Sequence, residues 1–264
     1  MLSLRSIEKT FLTELGTEKR VFKGLNLDIN NGEFITVIGS NGAGKSTLLN
    51  LIMGSITPDS GTVSLDEKDI TRDELYKKNS YISKVYQDPS MGTAPSMTVF
   101  ENLSMADNKG KKFNFSFGLN QKRKNYYESL LSELGLGIEK QMDTEVRMLS
   151  GGQRQCLALL MVTLNKPKLL LLDEHTAALD PKTSKIILDK TDEIVRKNNI
   201  TTLMITHNLE DAITYGDRII MLHEGEIILN VSGEEKRKLT PKKLLEKFQT
   251  VKGRLNDSAI FTAS

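Results

Sequence analysis

Cysteine is all but absent: Cys156 is the single one in 264 residues, so no disulfide can form within the chain. It stands in QRQCLALLMV, which reads as a buried helix, so it is a small core residue rather than a reactive thiol and fits a reducing cytoplasm. Long apolar runs are missing as well. Nothing approaches the roughly 18 residues of a membrane span, and the run at 169–172 has the length of a strand. The N-terminus, MLSLRSIEKTF, carries charges where a secretory leader needs an apolar segment, so no signal peptide is expected. Charge of one sign is also lacking. Against 36 Lys and Arg stand 34 Asp and Glu, and the net +2 is too small to suggest a nucleic-acid binder, so no nucleic-acid partner is expected. Local basic runs, KGKK at 109–112 and QKRKN at 121–125, flank Phe113, Phe115 and Phe117. That alternation reads as an amphipathic segment packed on a neighbour, with a solvated basic face. With 38% hydrophobic residues the chain can bury a sizeable core, as one large domain or a domain with a lobe.

What is present begins with GSNGAGKST at 39–47, which meets the pattern G-x-x-x-x-G-K-[ST] through Gly39, Gly44, Lys45 and Ser46. The apolar run FITVI precedes it and the helix-like STLLNLIM follows, so a strand delivers the loop to a helix N-terminus. There, backbone N–H groups from Gly39, Ser40, Asn41, Gly42, Ala43 and Gly44 can wrap phosphates, with the helix dipole adding positive potential. Lys45 is expected to bridge the β- and γ-phosphates of a nucleotide. Ser46 is expected to offer its hydroxyl to Mg2+, with Thr47 next along the turn. By itself this loop indicates only a nucleotide phosphohydrolase of some kind.

The run LLLLD at 169–173 ends in a carboxylate, which suits a central parallel strand opening onto a ligand crevice. Asp173 is expected to hold Mg2+ through water, and Glu174 to orient or deprotonate the attacking water. A second apolar strand, TLMIT at 202–206, ends in His207, whose imidazole can hydrogen-bond the γ-phosphate and the water. A helix-like segment at 181–198 separates the two strands.

Around these motifs, residues 2–11, 20–29 and 60–66 read as an N-terminal β-rich layer, with TELGTEK as a hairpin loop. From 34 to 87 and from 167 to 222, strands alternate with helices in the pattern of a parallel sheet covered on both faces. Between them, 98–165 reads as helices: TVFENLSMA, then NYYESLLSELG ending at a Gly stop, then the helix after LSGGQ. Residues 225–231 form a last strand. LTPKKLLEKF at 239–248 has a helix start at Thr240 with Pro241 in first position, and Leu244, Leu245 and Phe248 at helical spacing. The polar tail 249–264 is expected to be mobile. No internal repeat is present, so each motif occurs once.

LSGGQ at 149–153, set between the phosphate loop and LLLLDE, narrows the reading. In motif order, residues 1–235 closely resemble the ATP-binding subunit of ATP-binding cassette (ABC) transporters. The resemblance implies an α/β fold: a P-loop NTPase parallel-sheet core, an N-terminal antiparallel β layer and a helical lobe inserted at about 98–165, followed by a C-terminal helix and tail over 236–264. It makes Gln87, in VYQDPS, the glutamine that links Mg2+ and the γ-phosphate to the membrane partner. Ser150, Gly151, Gly152 and Gln153 match the signature that binds the γ-phosphate of ATP held by the opposite subunit. The signature lies on the helical lobe and is expected to point away from the chain's own phosphate loop, which makes a partner subunit necessary. Ala178, Leu179 and Asp180 match the loop that crosses the dimer interface, and Phe11 stands where the family stacks an aromatic on adenine. One position departs from the family: His175 replaces the proline that commonly follows the catalytic glutamate. It is expected to face away from the phosphate as a satisfied structural group, with no loss of hydrolysis.

MGTAPSMTVFENLSMA at 91–106, with DEHTAALDPKT at 173–183, is similar to bacterial ABC ATPases paired with permeases of the branched-chain amino acid type. The resemblance therefore implies a peripheral protein on the cytoplasmic face of the cell membrane. Its expected partners are a second copy joined through an ATP sandwich, integral-membrane permease subunits and an extracytoplasmic substrate-binding protein, and its expected role is import of amino acids or related small solutes. Two rivals share the motifs. A soluble ABC ATPase acting on ribosomes or DNA usually carries two cassettes or long insertions, and an ATP-gated regulatory module would have no need of Glu174 and His207.

Overall fold

A computed structural model describes residues 1–255 of the chain, Leu15 and 110–120 excepted. Strands β1 (Leu2–Leu12) and β2 (Glu18–Ile29) form an antiparallel hairpin. The chain continues through β3 (Phe34–Gly39), α1 (Lys45–Met53), β4 (Ser60–Leu65), β5 (Lys68–Asp69), α2 (Leu75–Lys78) and β6 (Ile82–Val85). The helices α3 (Val99–Asn108), α4 (Lys124–Leu134) and α5 (Gly151–Thr163) follow, and then β7 (Leu169–Asp173), α6 (Pro181–Asn198), β8 (Thr201–Ile205), α7 (Leu209–Thr214) and β9 (Arg218–His223). The last elements are β10 (Glu226–Ser232), α8 (Gly233–Arg237) and α9 (Pro241–Leu255).

Two sheets result. One, in the order β2-β1-β4-β5, is antiparallel; the other, β10-β9-β3-β8-β7-β6, is parallel except for β10, which runs antiparallel on the edge. Strand β7 shows why a central parallel strand is apolar without alternation. Leu169 and Leu171 face the cluster shared with α1 and the antiparallel layer, whereas Leu170 and Leu172 face α5 and α6 beside Leu159, Leu188 and Val195. All four leucines are fully buried, so neither face of the strand tolerates a polar residue.

The helices α3, α4 and α5 enclose a separate core around Leu103, Tyr127, Leu131, Val146 and Leu157. Helix α3 starts where the sequence signals it, at a capping box in which Thr98 Oγ1 accepts from the Glu101 N–H (3.2 Å) and Glu101 Oε2 accepts from the Thr98 N–H (2.7 Å). Cys156 is buried in this core, and burial pushes its thiol up to about 12, as expected of an inert core residue. Phe113, Phe115 and Phe117, with most of KGKK, lie outside the described residues, as does 256–264 of the tail expected to be mobile; its first part, 249–255, is instead helical, continuing the last helix of the chain to Leu255.

Helix α9 starts as expected, with Thr240 Oγ1 accepting from the Lys243 N–H at 3.2 Å. Leu244 is buried with Ala212, Met221 and Val231, but Leu245 is 49% exposed. Neighbours in a helix lie about 100° apart, so one narrow face cannot bury both.

Candidate functional site

The functional side chains gather at the C-terminal edge of the parallel sheet because strand register puts them there. Ile205 of β8 is level with both Val37 of β3 and Asp173 of β7. Asp173 therefore stands two strands from the loop that leaves β3, a separation of about 10 Å.

At the end of β3, Gly39 has φ +152°, and a Cβ on it would come within 2.2 Å of the Leu222 carbonyl oxygen of β9. Only glycine lets the chain turn so close to its neighbour. The loop then exposes Ser40, Asn41 and Gly42, buries Ala43, and enters α1 at Gly44 with no side-chain cap. The first N–H groups of α1 thus have no side-chain capping partner and face the loop's concavity, a ready anion site. Lys45 Nζ donates to the Gly39 and Ser40 carbonyls at 2.8 and 3.0 Å, folding the ammonium over its own loop. Burial lowers its pKa, and the nearby charges of Glu174 and Asp173 oppose that shift. Ser46 is exposed beside it and Thr47 half-buried.

Glu174, just past β7, has φ +48°, a left-handed conformation that costs a non-glycine residue about 1–2 kcal/mol. Its surroundings enforce that turn: the Glu174 N–H donates to the Ile205 carbonyl at 3.2 Å, and Glu174 Oε1 lies 2.6 Å from His207 Nε2. Both side chains line a cleft of about 730 Å³ with Thr206, Leu179, Ser184 and Tyr215. Asp173 engages Lys84 of β6, with Nζ 2.8 Å from Oδ2. Lysine at this place was not anticipated. The signal available was a cation in the otherwise uncharged strand ISKV, three positions before Gln87.

The signature residues lie at the start of α5. Ser150 Oγ accepts from the Gln153 N–H (3.3 Å) and Gln153 Oε1 accepts from the Ser150 N–H (3.0 Å), a closed capping box, while Gln153 Nε2 also donates to the Leu136 carbonyl at 3.1 Å. A Cβ on Gly152 would come within 2.3 Å of Thr183 Cγ2 on α6, so any larger residue there would have to push that side chain aside. Asp180 caps α6, its Oδ1 accepting from the Thr183 N–H at 3.0 Å, and hydrogen bonds from Thr183 hold its carboxyl below the usual range. Gln87 lines a different cavity, of about 400 Å³, with Gly151, Arg154, Ala178 and Leu179. The structure thus brings the phosphate loop, Asp173, Glu174 and His207 together and keeps Gln87 and the signature as a second group. Phe11 is half-buried on β1, opposite Lys19, with Lys9 Nζ 5.3 Å from its ring centroid.

His175 is buried, with Nε2 3.3 Å from Thr191 Oγ1, and burial pushes its imidazole down to about 4. An unfolded chain binds that proton near pH 6.5, so between the two values it holds more protons than the folded chain. The neutral imidazole's contribution is complete above about pH 6.5 and is lost as pH falls towards 4, by up to about 3 kcal/mol. Denaturant unfolding of the wild type and His175→Gln at pH 7 and pH 4.5 should show the wild type losing about 2–3 kcal/mol more than the variant. Parallel losses would exclude this residue as the source.

A family model described as ABC transporter matches residues 22–177. The chain belongs to the ABC transporter family. It is 53% identical over 249 residues, 94% of this chain and 99% of the relative, to the tyrosine transport ATP-binding protein of Clostridioides difficile (strain R20291). It is 36% identical over 239 residues to the spermidine/putrescine import ATP-binding protein PotA of Haemophilus influenzae (strain ATCC 51907 / DSM 11121 / KW20 / Rd), covering 89% of this chain but 59% of that longer protein. Among solved structures, a dimeric ATP-binding cassette in a post-hydrolysis state bound to ADP and Pi aligns with TM-score 0.76 at 28% identity, covering 88% of this chain and 98% of that one. A nucleotide-free cassette from an ABC transporter aligns with TM-score 0.75 at 27% identity, over 94% and 98%. The two-sheet architecture with its helical lobe is the ABC ATPase fold, and the chain is an ABC ATPase, converting ATP to ADP and phosphate. Among the described residues, no helix is long and apolar enough to cross a membrane.

Proposed function

We propose that this ABC ATPase powers import of an amino acid or related small solute, working as a pair of copies bound to permease subunits on the cytoplasmic face of the membrane. The observation that carries the catalytic part is the Glu174–His207 contact of 2.6 Å beside the phosphate loop. The solute class is supported by the 53% identity to a tyrosine transport ATP-binding protein, and pairing with a branched-chain-type permease rests on the motif similarity at 91–106 and 173–183. An extracytoplasmic substrate-binding protein fits an importer of this kind.

Lys45 leaves the Gly39 and Ser40 carbonyls to reach the β- and γ-phosphates, and the N–H groups of the loop and of the first turn of α1 hold the rest of the triphosphate. Phe11 stacks on adenine, contributing roughly 0.5–1.5 kcal/mol. Mg2+ suits the donors beside the phosphate loop, the Ser46 hydroxyl and the Asp173 carboxylate, which are hard oxygen ligands; the Gln87 amide oxygen, which lines the separate cavity, would join them only by moving towards Asp173, and no group of three or more His, Cys, Asp or Glu among the described residues could hold a metal without a nucleotide. Bound with ATP, the ion would neutralise charge on the transferring phosphoryl group. Glu174 orients the attacking water and takes its proton, and His207 fixes Glu174 and offers a ring nitrogen to the γ-phosphate. Ser150, Gly151, Gly152 and Gln153 close on the nucleotide of the other copy, with Asp180 at the interface between them.

The test is purification from membranes in mild detergent, with identification of co-purifying proteins and ATPase assays in their presence and absence. Recovery with a multi-span permease that alters the ATPase rate supports the proposal. Recovery with ribosomes or nucleic acid alone would overturn it.

A further inference from the structure

The parallel sheet buries a cation beside the carboxylate assigned to the metal. Lys84 of β6 pairs with Leu171 of β7, and Asp173 lies two residues further along β7, so the two side chains project from the same face of the sheet. That face also carries α1, whose Asn50 Oδ1 accepts from Lys84 Nζ at 3.2 Å. Nζ is 2.8 Å from Asp173 Oδ2 and 5.0 Å from the centroid of the Tyr86 ring, and the Lys84 side chain is only 6% exposed against 17% for Asp173. A lysine pinned by a carboxylate, an amide and an aromatic face has no freedom to swing into solvent when a second cation arrives. It is also tied at once to the helix of the phosphate loop and to the strand leading to Gln87.

We propose that Lys84 is a resident counter-cation for Asp173: it positions the carboxylate before nucleotide binds and then shares it with Mg2+, thereby setting the Mg2+ concentration at which the site loads. The inference rests on the assignment of Asp173 to Mg2+ and makes Lys84 a positioning residue, acting through Asp173. Two cations on one carboxylate repel across a few ångströms of protein, so removing the fixed one strengthens binding of the mobile one. The same removal leaves Asp173 without its buried partner in the nucleotide-free state, which destabilises that state.

The experiment uses the full chain with a non-hydrolysable ATP analogue, following analogue binding by calorimetry across a MgCl2 titration and counting bound Mn2+ by electron paramagnetic resonance when it replaces Mg2+. Lys84→Met should lower the half-saturating Mg2+ concentration roughly tenfold, through the repulsion removed. Its nucleotide-free form should melt earlier and recover more on loading than the wild type does. Lys84→Gln, which keeps a donor for Asn50 and Asp173, should show the same direction if the Met variant fails to fold, and Lys84→Arg should keep the wild-type metal requirement. A neutral variant that folds with an unchanged or higher Mg2+ requirement would overturn the proposal and leave Lys84 a purely structural ion pair. Asp173→Asn separates the two levels: if it leaves the metal dependence untouched, the assignment of Asp173 has failed, whereas loss of metal dependence there alongside no effect at Lys84 sinks only the counter-cation role.

Discussion

Replacement of Glu174 by glutamine is expected to slow ATP turnover by about 10²- to 10⁴-fold while leaving ATP binding intact, the range a positioned general base contributes. The substitution is nearly isosteric and keeps a hydrogen-bonding group facing His207 at the observed 2.6 Å, so the left-handed turn at φ +48° and its bond to Ile205 should survive. What disappears is the negative charge and the capacity to take a proton from water. ATP should therefore remain uncleaved between two copies, and a dimer should appear by light scattering in the presence of ATP and Mg2+. Turnover within a few-fold of wild type would remove Glu174 from the role of base.

Lys45→Met should act on binding itself, weakening ATP affinity by about 10²- to 10³-fold. The ammonium now makes two hydrogen bonds, to the Gly39 and Ser40 carbonyls, which reach no further than its own loop. Transferred to two phosphates they gain anionic acceptors in place of neutral carbonyls, and hydrogen bonds to charged groups contribute about 1.5–3 kcal/mol each. Methionine fills the buried stem but supplies no charge, so the loop should keep its fold while losing its ligand. Calorimetric titration with ATP measures the difference directly, and an unchanged Kd would show that the backbone N–H groups alone hold the triphosphate.

Much of this was readable from sequence because the informative residues are of kinds that local physics constrains. Glycine at 39, where a Cβ would strike Leu222, and four leucines at 169–172 facing two different cores each follow from a single strand environment. The starts of α3, α5 and α9 were legible for the same reason, since caps are written within four residues. What escaped reading depends on neighbours distant in sequence. Lys84 acquires its meaning only because β6 lies beside β7 in a register that sets it near Asp173, and nothing in ISKV announces that partner. Leu244 and Leu245 look equivalent until the packing of α9 on α7 and β10 separates them. The dual use of Gln153, capping its own helix and holding the Leu136 carbonyl, was likewise invisible in a motif known for touching a nucleotide.

The closed box between Ser150 and Gln153 bears on how fast two copies can meet. Because α5 satisfies its own terminus within a single chain, the helix start that the proposed pairing would bring to a second copy's nucleotide is already ordered and need not form on contact. Association then pays mainly for lost tumbling and diffusion. If the proposed pair forms, its rate of formation should follow collision frequency and nucleotide occupancy rather than a slow rearrangement at this helix start, and its lifetime would then be set by hydrolysis at the proposed base, Glu174.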